Sequence, residues 1–159
     1  MKKLTVTVAI SAKNEHANIL SLLKSVLSQN HKLYTLNNVI VVSDGSTDGT
    51  VRVVKKLKSS LILLKEYGSS LGKAKRLSQI YHTLTSDLVV QLDADINLNN
   101  NNFIDNLIEP FTNNEKVGMV GANSLPAETA SFVSKAIASS TRPYVTLRLI
   151  APSLSVGPV

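Results

Sequence analysis

The residues best suited to chemistry are aspartates in two short stretches: Asp44 and Asp48 within VSDGSTDGT at Val42 to Thr50, and Asp93 and Asp95 within LDAD at Leu92 to Asp95. A carboxylate at Asp44, held by the turn that Gly45 and Ser46 favour, can accept a hydrogen bond from an N–H donor of a ligand such as a nucleotide base. The other reading is that it satisfies backbone N–H groups of its own turn, and for Asp48 this capping role is the preferred one. Between Asp93 and Asp95 stands Ala94, small enough to let the backbone turn tightly. Hard cations such as Mg²⁺ take one or two carboxylates and complete their shell with phosphate oxygens and water, so the pair suits an ion shared with a nucleotide. Two loop aspartates capping the next element are the alternative.

Both stretches follow apolar runs, Val39 to Val42 and Leu88 to Leu92. Such runs are short, β-branched and without alternation, which suits parallel strands buried on both faces. The acids then sit at the carboxyl ends of strands, the edge where open α/β sheets bind ligands. The remaining elements follow the same period. Leu4 to Ile10 reads as a first strand, and Ser11 to Asn14 as a turn. Glu15 to Gln29 reads as an amphipathic helix through Ile19, Leu22, Leu23, Val26 and Leu27. A helix over Thr50 to Leu57, a strand over Leu61 to Lys65, a glycine loop from Gly68 to Gly72 and a helix over Lys73 to Thr83 come before the Leu88 strand. After it, the asparagines around Asn97 to Asn102 read as a loop capping a helix near Phe103 to Phe111, and Val117 to Gly121 as a fifth strand. Ser131 to Ser139 is helix-like, and the last fifteen residues give no assignment. Alternating strands and helices with short connections predict an α/β, doubly wound, mostly parallel sheet.

A chain of 159 residues with 43% hydrophobic content is sized for one domain with a substantial core. With no cysteine there is no disulfide framework, thiolate nucleophile or cysteine-bound zinc, and a reducing cytoplasm is the default. The amino terminus lacks the apolar region and cleavage site of a signal peptide, and no stretch approaches the length of a spanning helix. The formal charge of +6 is compatible with phosphates or anionic lipid heads, hence with peripheral membrane association. The basic residues Arg52, Lys55, Lys56 and Lys58 read first as a solvated helix face. His16, His31 and His82 have no metal-ligand spacing. Tyrosines at 34, 67, 81 and 144 form no aromatic platform, so nucleic acid is not an expected partner.

Four motifs in this order, ISAKNE at Ile10 to Glu15, VIVVSDGSTDGT at Val39 to Thr50, LGKAKRL at Leu71 to Leu77 and QLDAD at Gln91 to Asp95, resemble the family 2 glycosyltransferases of GT-A fold. These enzymes move a sugar from a nucleoside diphosphate donor to an acceptor. The resemblance covers about the first 125 residues and implies a nucleotide-sugar-binding core over 1–125, with 126–159 beginning an acceptor-side segment. It implies that Asp44 contacts uracil, that Asp93 approaches the ribose or metal side of the donor, and that Asp95 ligates Mg²⁺ or Mn²⁺ bridging to the diphosphate. Ala94 belongs to the same nucleotide-sugar-binding loop. Ser11, Ala12, Asn14 and Glu15 are expected to line the base pocket with backbone groups, Asn14 also bracing the loop. Glu15 reads equally as a first-turn acid. Family members often carry proline where Ser11 stands and an aromatic residue where Lys13 stands, so base stacking is not expected there.

Lys73 follows the glycine loop at a helix start, where backbone donors and a positive side chain can hold phosphate, and the resemblance supports such a role. For Lys75 and Arg76 a surface reading is at least as good. A P-loop is excluded because Ala74 replaces the required Ser or Thr. Attack by an acceptor hydroxyl needs a general base, and in the family this is an Asp well downstream of the DxD motif. Asp105, Glu109, Glu115 and Glu128 do not stand in such a context, so the base is expected beyond Val159 and the chain is read as the donor-binding part of a longer enzyme. A nucleotidyltransferase and a non-catalytic nucleotide-binding domain remain as alternatives. Donor sugar, acceptor and oligomeric state are not legible.

Overall fold

The computed structural model describes residues 3–98, 100–122 and 146–149. Its strands are β1 (Leu4–Ala12), β2 (Tyr34–Asp44), β3 (Ile62–Tyr67), β4 (Leu88–Asp93), β5 (Met119–Gly121) and β6 (Thr146–Leu149). The helices are α1 (Ile19–Leu27), α2 (Thr50–Lys56), α3 (Lys73–Tyr81) and α4 (Phe103–Asn113). They build one six-stranded sheet in the order β3-β2-β1-β4-β6-β5. The first four strands are mutually parallel, while β6 runs antiparallel to both β4 and β5. The doubly wound, mostly parallel α/β sheet is therefore as expected.

Burial on both faces explains the unbroken apolar runs. Val6, Val8 and Ile10 of β1 face a main core with α1 and α4, where Ile19, Leu22, Leu23, Val26, Ile104 and Ile108 are all fully buried. Ala9 and Val89 face the opposite side, under Leu77 of α3, and Ile40 and Val42 lie under Ile80 of the same helix. Each fully buried aliphatic side chain contributes roughly 1.5–3 kcal/mol, so the four on α1 hold that helix to the sheet far more strongly than its nine-residue length could sustain alone. Because β1 leads through α1 toward β2, while the α3 crossover carries the chain to the far side of β1, the strand order reverses between β1 and β4. That reversal opens a crevice at their carboxyl ends.

Several boundaries differ from expectation for local reasons. α1 starts at Ile19 rather than Glu15 because the amides of Asn18 and Ile19 both donate to the Glu15 carbonyl, closing a turn first. The reading of Glu15 as a first-turn acid is thus corrected. β2 begins at Tyr34, five residues before the apolar run, since buried Tyr34 and Leu36 alternate with exposed Thr35 and Asn37. A register shift between Val6 and Thr7 then leaves Asn37 unpaired against β1. The Asn102 side chain does not cap α4; Gln29 does, its Oε1 accepting the Ile104 amide at 3.1 Å while its Nε2 donates to the Asn100 carbonyl at 2.8 Å. The strand expected over Val117 to Gly121 is shorter. β6, unassigned from sequence, draws a sheet strand from the segment after residue 125. The helix-like stretch Ser131 to Ser139 lies outside the described residues.

Candidate active site

The crevice is floored by β1. Ser11 pairs with Val42 of β2 on one side and with Asp93 of β4 on the other, and Ala12 pairs with Ser43. At about 4.8 Å between neighbouring strands, the ends of β2 and β4 stand roughly 10 Å apart across β1. Asp44 and Asp93, the last residues of those strands, therefore share one edge of the sheet.

The loops after β1 and β2 are fastened together. Asn14, with φ of 57°, donates its amide to Ser46 Oγ at 3.2 Å and accepts the Thr47 amide on Oδ1 at 2.8 Å. The Glu15 amide donates to Thr50 Oγ1 at 2.8 Å, and the His16 amide to Asp48 Oδ2 at 3.1 Å. Asp48 also accepts the Thr50 amide at 2.9 Å. Its carboxylate is held below the usual range, first by the Thr50 hydroxyl, with slight burial opposing and the Thr50 and His16 amides assisting. Asp48 thus plays the capping part, and Asn14 braces the loop. The amides of Asn14 and Glu15 point at the neighbouring loop, which leaves Ser11, Ala12 and Lys13 as the backbone that borders the crevice from β1. A Cβ at Gly49 would lie 2.3 Å from the His16 ring, so a side chain there requires the imidazole to move.

Asp44 is buried, at 5% exposure, and is turned inward. Its Oδ1 accepts the Leu71 amide at 2.9 Å and Arg76 Nε at 2.8 Å; its Oδ2 accepts Ser70 Oγ at 2.7 Å and the Gly72 amide at 2.9 Å. Burial alone would raise the carboxyl's pKa, but Arg76, Leu71, Ser70 and Gly72 together outweigh it and hold the group far below the ordinary carboxylate range. Rather than facing a base, the carboxylate binds the loop before α3. A base could reach it only if one of these four bonds yielded. The helix start expected to hold a phosphate is likewise occupied in part by the protein's own anion, since two of the amides leading into α3 already donate to Asp44. Gly45 permits the close approach: its φ is +72°, and a Cβ would lie 2.9 Å from the Ser70 amide nitrogen.

Arg76 corrects the surface reading, being only 4% exposed. Besides Asp44 it donates from Nη2 to the Ser69 carbonyl at 2.7 Å and from Nη1 to Gln79 Oε1 at 3.2 Å. Its guanidinium lies 3.6 Å from the centre of the Tyr67 ring. The one sequence signal for this placement is its position beside Leu77 and one turn before Ile80 on the buried side of α3. Lys75 is exposed, as are Arg52, Lys55, Lys56 and Lys58.

At the end of β4, Asp93 forms an ion pair with Lys73, the first residue of α3. Both side chains are partly exposed. Ala94 is buried and Asp95 exposed, so the small residue turns inward and the carboxylate outward. Among the described residues no three His, Cys, Asp or Glu side chains converge to cage a metal. Two carboxylates at one strand end are an oxygen donor set that fits Mg²⁺ or Mn²⁺ if a diphosphate completes the shell. Asp105 is remote: it is buried and accepts the Lys32 and Leu33 amides at 3.2 and 2.9 Å, at the amino end of β2, the opposite edge of the sheet. No helix among the described residues is long and apolar enough to cross a membrane.

Residues 7–146 match the model of the family described as glycosyl transferase family 2. Glucosyl-3-phosphoglycerate synthase of Petrotoga mobilis is 28% identical over 124 residues, covering 74% of this chain and 38% of that protein. A mannosyltransferase from Pyrobaculum calidifontis, solved with GDP-Man and Mn²⁺, superposes with a TM-score of 0.70 at 28% identity, over 80% of this chain and 37% of its own. Glucosyl-3-phosphoglycerate synthase from Mycobacterium tuberculosis, solved with Mn²⁺, UDP and glucosyl-3-phosphoglycerate, superposes with a TM-score of 0.60 at 25% identity, over 73% and 42% of the two chains. This chain spans well under half the length of each.

Proposed function

The chain belongs to glycosyl transferase family 2, and we propose that it is the donor-binding part of a metal-dependent, inverting enzyme that transfers a sugar from a UDP-sugar to an acceptor hydroxyl. The observation that carries this reading is the ion pair of Lys73 with Asp93 at the β1/β4 crevice, with exposed Asp95 two residues further along the same strand end, at the edge where a diphosphate would lie. Support for a divalent ion comes from the Mn²⁺ in the two solved relatives together with the oxygen donors here. UDP is favoured over GDP only by the second of these relatives.

In this reading the acceptor oxygen bonds to the anomeric carbon from the face opposite the diphosphate, the bond from that carbon to the phosphate oxygen breaks, and the nucleoside diphosphate leaves. The metal, when bound, supplies positive charge against the leaving diphosphate. Asp93 and Asp95 would hold it. Lys73, released from Asp93, would place its ammonium against the outer phosphate, where negative charge grows as the bond breaks. Backbone groups of Ser11, Ala12 and Lys13 would border the base, with Asn14 and Glu15 fixing their loop. The hydroxyl's proton goes to a base contributed from outside the described residues. The remoteness of Asp105 supports that assignment.

Calorimetric titration with UDP and GDP, with and without Mn²⁺, on the parent chain and on Asp95→Ala tests the reading. Affinity should fall at least about tenfold without the ion, roughly 1.4 kcal/mol, and by a similar factor in the variant. Equal affinity with and without Mn²⁺, unchanged in Asp95→Ala, would remove the site assignment.

A further inference from the structure

We infer that Arg76 is a positioning residue for the donor's outer phosphate: it locks Asp44 and the Ser69 to Gly72 loop in the arrangement that leaves Lys73 beside Asp93. The inference rests on the donor-binding reading above and adds a residue that does not itself reach the crevice. Three observations carry it.

The first is that each nitrogen of the guanidinium, and one face of it, is engaged. Nε holds Asp44, Nη2 holds the Ser69 carbonyl, Nη1 holds Gln79, and the flat face covers Tyr67. A planar fork with this many fixed partners has one orientation, which lysine could not reproduce. The second is that Asp44 passes this order to the loop. Each of its oxygens accepts two hydrogen bonds, one set from Arg76 and Leu71 and the other from Ser70 and Gly72. Three consecutive loop residues are thereby fixed by one carboxylate whose charge Arg76 balances. The third is adjacency. Gly72 has φ of +88°, a conformation open to glycine, and the next residue is Lys73. A displacement of Gly72 is carried directly into the Lys73 backbone and from there to its ammonium at Asp93.

Arg76 and Lys73 lie one helical turn apart on α3, yet they serve opposite ends of the crevice. Arg76 ties α3 to β2 through Asp44, and Lys73 ties it to β4 through Asp93. Helix α3 thus spans β1 from side to side, and the β2 attachment sets where its first residue falls on the β4 side. The base-side end of the pocket and its phosphate-side end are linked mechanically through this helix start.

A role in fold stability alone would lower the melting temperature without changing how the outer phosphate is recognised, and the experiment separates the two. UDP and UMP, which differ by that phosphate, are titrated in the presence of Mn²⁺ against the parent chain, Lys73→Ala, Arg76→Gln, Arg76→Lys, Ser70→Ala and the Arg76→Gln/Lys73→Ala double variant. Lys73→Ala should lower the UDP-to-UMP affinity ratio about tenfold, the loss of one charge-assisted contact. Arg76→Gln should lower the same ratio nearly as far while leaving UMP affinity little changed, and the double variant should be no lower than Lys73→Ala, because both changes remove one interaction. Arg76→Lys should fall between. Ser70→Ala removes one exposed hydroxyl from the clasp and should lower the ratio by about two- to fivefold, which keeps the test open if Arg76→Gln melts without cooperativity. Ratios unchanged in Arg76→Lys and Ser70→Ala, with Lys73→Ala lowering its own, would overturn the inference and leave the donor-binding reading standing. A parent chain that does not distinguish UDP from UMP, or a Lys73→Ala variant that keeps the full ratio, would overturn both.

Discussion

Replacing Asp44 by Asn should destabilise the protein by about 3–5 kcal/mol at pH 7, the range for breaking a buried ion pair by removing one partner. The structure argues for a figure inside that range. Asp44 and Arg76 are 5% and 4% exposed, so water cannot replace the lost charge. An amide at position 44 has one acceptor oxygen, whereas four donors converge there; its NH₂ must face either Leu71 and Arg76 or Ser70 and Gly72. The contacts of Arg76 with Ser69, Gln79 and Tyr67 remain and keep the loss below that of an isolated buried charge. For a chain of 159 residues, such a loss lowers Tm by roughly 10 °C. The effect should also depend on pH with a definite sign. The folded carboxyl titrates well below its unfolded value of about 3.9, so its contribution is complete above that pH and is lost as pH falls through the folded value. Urea unfolding of both proteins between pH 7 and pH 2 measures this directly. The gap should be constant from pH 7 to about pH 5 and close progressively below about pH 4. A gap under about 1 kcal/mol at neutral pH, or one that persists unchanged into acid, would refute the argument that this pair is a buried, charge-balanced clasp.

Gly45→Ala should cost about 2 kcal/mol or more, from the left-handed backbone and the clash with the Ser70 amide, and should weaken UDP binding with it. Gly49→Ala meets only the His16 ring, so chemical denaturation should show a loss of about 1 kcal/mol that His16→Ala largely rescues in the double variant. Gln29→Ala should cost about 1–2 kcal/mol in the same assay because the Ile104 amide and the Asn100 carbonyl both lose their bond to the Gln29 side chain. Lys55→Ala, which opens an exposed ion pair with Glu66, should change stability by less than about 1 kcal/mol, and any change should vanish in high salt.

The parallel half of the sheet was legible because its strands are buried on both faces, and nothing but an apolar run of β-branched residues fits there. The motifs at strand ends were legible as turns for a related reason: acids and glycines after such runs suit tight turns and amide acceptance, the part that Asp48 and Gly45 play here. What escaped was long-range pairing. Gln29 looks like the polar tail of a helix, and only the fold brings it to the start of α4 across the interval to Ile104. Arg76 sits in a basic stretch whose other members are exposed. Its burial depends on a carboxylate that β2 delivers from elsewhere in the chain. Asp44 stands out in sequence, but two of its four partners are the backbone amides of Leu71 and Gly72, which carry no side-chain signature. Tyr34 extends β2 beyond the apolar run by a one-sided alternation too short to stand out. Its buried hydroxyl is held neutral far above the ordinary phenol range, first by burial and then by nearby Asp105.

The placement of β6 between β4 and β5 bears on how the protein is made. A ribosome releasing the chain from its amino end delivers β4 and β5 well before Thr146, so during that interval the outer rim of β4 carries unsatisfied amides and carbonyls next to an apolar surface. Until Thr146–Leu149 seals it, that rim is the part of the sheet open to adding a foreign strand.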